Sequence, residues 1–182
     1  MRRHWFPKPY ADLVARLRVP SGFVLVALFV ALARPTWASI AAGVPVSAAG
    51  LLLRAWAAGH LAKNERLSTT GPYAFVRNPL YCGTLVIATG LLVAARHPLL
   101  AVVFAAVFVG VYLPVIELEE QHLRKLFPAY GPYAERVPLV VPRFRALGVV
   151  GGWTERLYRK NEEWKALLAY AAALGFLIAK AA

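Results

Sequence analysis

Apolar runs at residues 20–33, 38–59, 79–95, 98–116 and 166–179 are separated by short breaks rich in proline, arginine or glutamate. A chain built this way has few choices. About 20 apolar residues are needed to cross a bilayer as a helix. Inside the bilayer a segment must satisfy its own backbone hydrogen bonds, so such runs are helical. The composition agrees: 59% hydrophobic residues and a mean hydropathy of +0.54. These values are too apolar for an ordinary soluble domain. We expect an all-α integral membrane protein with about five transmembrane helices, folded as a single domain over residues 1–182. Its core would be 50–145. An interfacial helix and a last apolar helix would occupy 152–182.

Residues 1–19 read as an interfacial segment. Trp5, Phe6, Tyr10, Leu13, Val14 and Leu17 face lipid there, while Arg16 and Arg18 meet headgroups. Pro20 then opens the first span, which is short. In the second span, Gly43, Pro45 and Gly50 mark close helix packing, as Gly83 and Gly90 do in the third. Arg54 lies inside the second span. It either faces protein or water, or snorkels to the interface. The third and fourth spans form a helical hairpin through Arg96-His97-Pro98, and Pro114 kinks the fourth near its end.

The net charge is +12. Only Arg34, Arg96 and Lys180 fall on one side of this arrangement. The other basic residues gather on the opposite side, which the positive-inside rule makes cytoplasmic, together with the N-terminus. This argues against nucleic acid as a partner. The basic N-terminus lacks a cleavage site, and its arginine pair lacks the rest of a twin-arginine pattern. Cys82 is the only cysteine, and no Cys/His cluster points to a metal.

The stretch Gly71-Pro72-Tyr73-Ala74-Phe75-Val76-Arg77-Asn78-Pro79-Leu80-Tyr81 joins the second and third spans. Pro79 disfavours helix at Asn78 and suits the first turn of the next helix. That turn is a positive dipole end that suits an anionic group such as a cofactor carboxylate. The alternative is a routine interfacial loop anchored by Tyr and Arg. After the fourth span, Glu117-Leu118-Glu119-Glu120 continues the helix out of the bilayer. Glu120 either pairs with Arg124 on a solvated face, or one carboxylate points back at the central motif. A turn-rich segment, 128–138, follows on the same side.

Taken together, these residues resemble the membrane methyltransferases that include isoprenylcysteine carboxyl methyltransferase and phosphatidylethanolamine N-methyltransferase, in a bacterial form. The matching pieces are Arg54 to Leu61, Gly71-Pro72-Tyr73 and Arg77-Asn78-Pro79-Leu80-Tyr81. Glu119-Glu120, Leu123, Phe127, Tyr130, Tyr133, Arg136-Val137-Pro138, Pro142 and Asn161-Glu162-Glu163-Trp164 complete them. The resemblance implies methyl transfer from S-adenosylmethionine, with S-adenosylhomocysteine as product, to a small apolar or lipid-like acceptor among membrane lipids. It implies a cofactor pocket facing the cytoplasm, in the inner membrane of a bacterium.

Carried over by position, Asn78, Pro79, Leu80 and Tyr81 line the cofactor site and Tyr73 packs on it. Glu65, Arg66, Leu67 and Ser68 contact its adenosine part, and His60 meets its amino-acid end. Glu119 and Glu120 bind beside the methyl donor, with Glu119 and Arg77 as the catalytic pair. Asn78 replaces a histidine common in the family. Val115 stands where the prenylcysteine enzymes carry an arginine for the substrate carboxylate. Two other readings remain: an NADPH-dependent membrane reductase of the sterol type, which shares the Arg-Asn-Pro-x-Tyr element, and a non-enzymatic membrane protein.

Overall fold

The computed structural model describes residues 6–142 and 152–182, and every regular element among them is helical. Trp5 and the end of the expected core, residues 143–145, lie outside the described residues. The long helices are α1 (Lys8–Leu32), α2 (Trp37–Ala58), α3 (Pro79–Ala95), α4 (Pro98–Val107) and its continuation α5 (Leu113–Leu126). Two short helices, α6 (Tyr130–Arg136) and α7 (Glu155–Lys160), precede α8 (Trp164–Ala181). Four segments are long and apolar enough to cross a membrane: α1, α2, the continuous Pro98–Leu126 and α8. At 17 residues, α3 is shorter, about 26 Å at 1.5 Å per residue. Phe23, Leu52, Val102 and Leu168 stand exposed on the outside, as a lipid-facing surface requires.

The bundle is sewn along a glycine seam. Gly43 faces Gly90 and Gly50 faces Gly83, so α2 and α3 run antiparallel. The glycines on each helix are two turns apart. A Cβ on Gly50 would lie 2.7 Å from the Gly83 carbonyl oxygen and the Ile87 nitrogen, both backbone atoms that cannot yield. Ser47 seals the seam by donating to the Ile87 carbonyl at 3.0 Å. The tight turn at Arg96 does join α3 to α4, but the closely packed pair is α2 with α3, because the small residues are there. Gly50→Val should therefore cost roughly 3 kcal/mol, the upper end for overpacking. A melting curve in detergent, compared with Gly22→Val on the open side of α1, would measure it.

One end of the bundle is closed by apolar packing. Ala33, Ile40, Ala94, Ala95, Leu100 and Leu177 form its core. Arg34 N–H donates to the Ala95 carbonyl at 2.8 Å, and Lys180 Nζ donates to the Val30 carbonyl. The motif loop, the end of α5, α6 and α7 all lie at the opposite end.

One proline departs from the sequence expectation. Pro20 does not start a helix; it lies within α1, which takes in most of the segment read as interfacial. Ser21 Oγ donates to the Arg18 carbonyl beside it. Pro114 is preceded by a widened turn, Phe108–Tyr112, with i to i+5 bonding. A proline has no N–H for the carbonyl four residues back, here Gly110. Tyr10 of α1 supplies that hydrogen, with Oη donating to the Gly110 oxygen at 2.6 Å. Two further differences concern the C-terminal half. Residues 130–136 are a helix rather than a turn, because Tyr130, Tyr133 and Ala134 share a buried face. The last apolar helix is longer than 166–179, because Trp164 and Lys180 fall within α8.

Candidate active site

The central motif folds as its prolines dictate. Gly71–Ala74 makes one tight turn, and Asn78 ends the incoming chain in a non-helical conformation (φ −123°, ψ 61°) before Pro79 opens α3. Gly71 has φ +59°, a region open mainly to glycine. A Cβ there would also meet the His60 ring, 2.5 Å from Nε2. No side chain caps α3. The Asn78 amide reaches instead toward the Leu139 carbonyl, at 3.4 Å.

Two carboxylates from α5 come back to this motif, as one of the two sequence readings expects. Glu119 accepts from Tyr81 Oη at 3.0 Å. Glu120 does not pair with Arg124. Its Oε1 lies 2.8 Å from Arg77 Nε and accepts from Tyr130 Oη at 2.8 Å. Arg124 stacks over the Tyr130 ring instead. The Arg77 side chain is buried: Nη1 donates to the Ala134 carbonyl at 2.8 Å and its backbone N–H to Pro138, while Nε lies close to Glu120 but out of line for a hydrogen bond. The geometry makes Arg77 a rivet between the motif, α5 and α6. Tyr133 Oη adds a bond to the Tyr73 carbonyl at 2.7 Å. Burial raises the pKa of Tyr73, Tyr130 and Tyr133, so all three are neutral phenols at physiological pH, and Tyr130 and Tyr133 act as hydrogen-bond donors.

The loop after α2 divides in two. Buried Ser68 donates to the His60 carbonyl at 2.9 Å, and Leu67 packs on the tyrosines of α6. His60 is buried at the end of α2, with Nδ1 2.9 Å from the Trp56 carbonyl. A carbonyl only accepts, so Nδ1 carries the proton. Glu65 and Arg66 are exposed. Glu65 pairs with Lys160, which holds its carboxyl below the usual range.

Sequence reasoning missed several partners. Arg54 makes a bidentate ion pair with Glu163, at 2.5 and 2.9 Å, and donates to Thr84 Oγ1 and the Leu80 carbonyl. This resolves Arg54 as facing protein. Asn161 caps the end of α2 by donating to the Ala58 and Leu61 carbonyls. The signal was present in the Asn161-Glu162-Glu163-Trp164 stretch, but its partners are about 100 residues away. Arg18 does not simply meet headgroups. Its guanidinium lies 3.6 Å from Glu119 and over the rings of Tyr81 and Tyr112. No group of three His, Cys, Asp or Glu side chains converges among the described residues.

These features define a multi-pass helical membrane protein with a cluster of tyrosines, arginines and carboxylates gathered where its helices emerge at one end. The chain belongs to the phospholipid methyltransferase family, whose match covers residues 39–130, from the start of α2 to the first residue of α6. It is 37% identical over 81 residues to Protein-S-isoprenylcysteine O-methyltransferase A of Arabidopsis thaliana, covering 44% of this chain and 41% of that protein. The cobalt-zinc-cadmium resistance protein CzcN of Cupriavidus metallidurans is 33% identical, covering 62% of this chain and 51% of that protein. The nickel-cobalt-cadmium resistance protein NccN of Alcaligenes xylosoxydans xylosoxydans is 35% identical, covering 69% and 62%. The chain thus spans about half to three-fifths of the length of these two resistance proteins. Their names state a resistance, not a reaction. No solved structure matches the chain.

Proposed function

We propose that this protein transfers a methyl group from S-adenosylmethionine to a small apolar or lipid-like acceptor at the membrane. The observation that carries the reading is the bond from Tyr81 on α3 to Glu119 on α5. It sets a carboxylate and aromatic faces beside the uncapped start of a helix. Such surroundings fit a zwitterionic cofactor that bears a cation: carboxylate and ring faces attract the sulfonium, and free helix N–H groups attract a carboxylate. They fit NADPH poorly. A phosphate-rich cofactor needs several free cations, whereas Arg77 is held by Glu120 and Arg54 by Glu163, which leaves the exposed Arg66 at the rim.

When bound, the cofactor supplies a methyl group whose bond to sulfur breaks as the acceptor's lone pair bonds to it, leaving S-adenosylhomocysteine. The chain's own task is alignment and exclusion of water. Glu119 and Tyr81 hold the charged centre. Asn78, Pro79 and Leu80 offer the first turn of α3, and Tyr73 packs behind it. Leu67, Ser68 and His60 support the adenosine side, where Glu65 and Arg66 form an exposed rim. Arg77 and Glu120 position α6 against the motif. The whole of 1–182 acts as one unit. Its site end faces the cytoplasm of a bacterial cell and the protein lies in the inner membrane, since Arg34, Arg96 and Lys180 belong to the far end.

Calorimetric titration of the detergent-purified protein with S-adenosylmethionine and NADPH tests this directly. Binding of the first without the second is expected. NADPH binding alone would move the assignment to a reductase, and binding of neither to a folded sample would make the motif a structural remnant and the methyltransferase reading wrong.

A further inference from the structure

Arg18 is a cation held entirely by electron-rich neighbours. Its guanidinium carbon lies 5.9 Å from the ring centres of both Tyr81 and Tyr112. Those rings meet edge to face at 6.4 Å. Nη1 is 3.6 Å from Glu119, whose Oε1 also accepts from Tyr81. Two ring faces and a carboxylate around one positive charge form a cation cage. Tyr112 enters it from the widened turn before Pro114, and Tyr10 of α1 grips the same turn at Gly110.

The cage and its occupant are differently anchored. Tyr81 and Glu119 belong to α3 and α5. Arg18 comes from α1, where only Ala11 and Val14 are buried. The side chain is 43% exposed, so it can swing out without unmaking the bundle. Tyr10, Val14 and Arg18 recur at four-residue spacing, one stripe of α1 facing this region.

We propose that Tyr81, Tyr112 and Glu119 form the seat of the cofactor's sulfonium, and that Arg18 is a resident cation that must leave it when the cofactor binds. This rests on the methyltransferase reading above. Two like charges cannot share one carboxylate and one pair of rings. Arg18 therefore opposes the methyl donor, which is a sulfonium, and not the product, which is a neutral thioether. It sets how well the protein distinguishes one from the other.

Calorimetry on the full chain in detergent, with S-adenosylmethionine and S-adenosylhomocysteine titrated separately, reads this out. Arg18→Gln should tighten the donor roughly five- to tenfold, the scale of a half-exposed cation–ring contact, while the product shifts less than about twofold. Tyr112→Leu should loosen the donor by a similar factor and spare the product. Equal shifts for both ligands, or no shift in either variant, would overturn the cage while leaving the methyltransferase reading intact. If the unmodified protein binds neither ligand, that reading falls and the cage with it.

Discussion

Glu119→Ala is expected to weaken S-adenosylmethionine binding by about ten- to a hundredfold, the range for a hydrogen bond or contact to a charged group. The protein should stay folded. Glu119 is 47% exposed at the emerging end of α5, so its removal buries no orphan charge. Its neighbours lose little, since Tyr81 is only partly buried and Arg18 is half in solvent. Glu119→Gln separates the two contributions of this side chain. The amide keeps an oxygen for Tyr81 but no negative charge, so donor affinity should fall while product affinity holds. An unchanged calorimetric affinity in the alanine variant would remove Glu119 from the site. A collapsed melting transition would instead make it a structural residue.

The contrast between Glu119 and its neighbour Glu120 shows where sequence reasoning succeeds and where it stops. Adjacent residues on one helix point about 100° apart, so Glu119 meets Tyr81 and Arg18 while Glu120 meets Arg77 and Tyr130. The sequence placed both at the mouth of the fourth helix and near the motif. It offered Arg124 to Glu120 because a helix brings residues four apart together. The real partner, Arg77, is 43 positions earlier and meets it because the loop before α3 folds against α6 and the end of α5. The same limit explains Arg54, whose partner Glu163 lies 109 positions later, at the start of α8.

Local chemistry read well where it has one outcome. Asn78-Pro79 ends one segment and begins another because the proline ring forces it, and Gly71 serves a turn that only glycine tolerates. The glycines of α2 and α3 announced close packing, although their pairing, Gly43 with Gly90 and Gly50 with Gly83, needed three dimensions. The local rule failed at Pro20, which lies inside α1, and at Pro114 a neighbour absorbs the defect. Tyr10 reaches across to the Gly110 carbonyl, which Pro114 leaves without a backbone donor.

Arg77→Ala should destabilise the protein by about 3–5 kcal/mol, the cost of removing one partner from a buried ion pair. The Arg77 side chain is 7% exposed and that of Glu120 is 15%, so the remaining carboxylate would keep only Tyr130 as a partner. The Ala134 carbonyl would lose its donor as well. Thermal unfolding in detergent should show the loss, and proteolysis should begin in the segment around α6. Arg77→Lys should fare little better, because one ammonium cannot reach both Glu120 and Ala134 in the geometry of the guanidinium fork. The informative variant is Arg77→Met with Glu120→Gln. Without a charge to strand, and with an amide oxygen still accepting from Tyr130, it should recover most of the lost stability, since apolar replacement of a buried pair is often near neutral. If Arg77 instead acts directly on substrate or cofactor, the single alanine variant will keep its melting temperature and lose turnover, and the double variant will be equally inactive. Recovery of both stability and cofactor affinity in the double variant would make Arg77 a positioning residue, leaving Glu119 and Tyr81 to face the methyl donor.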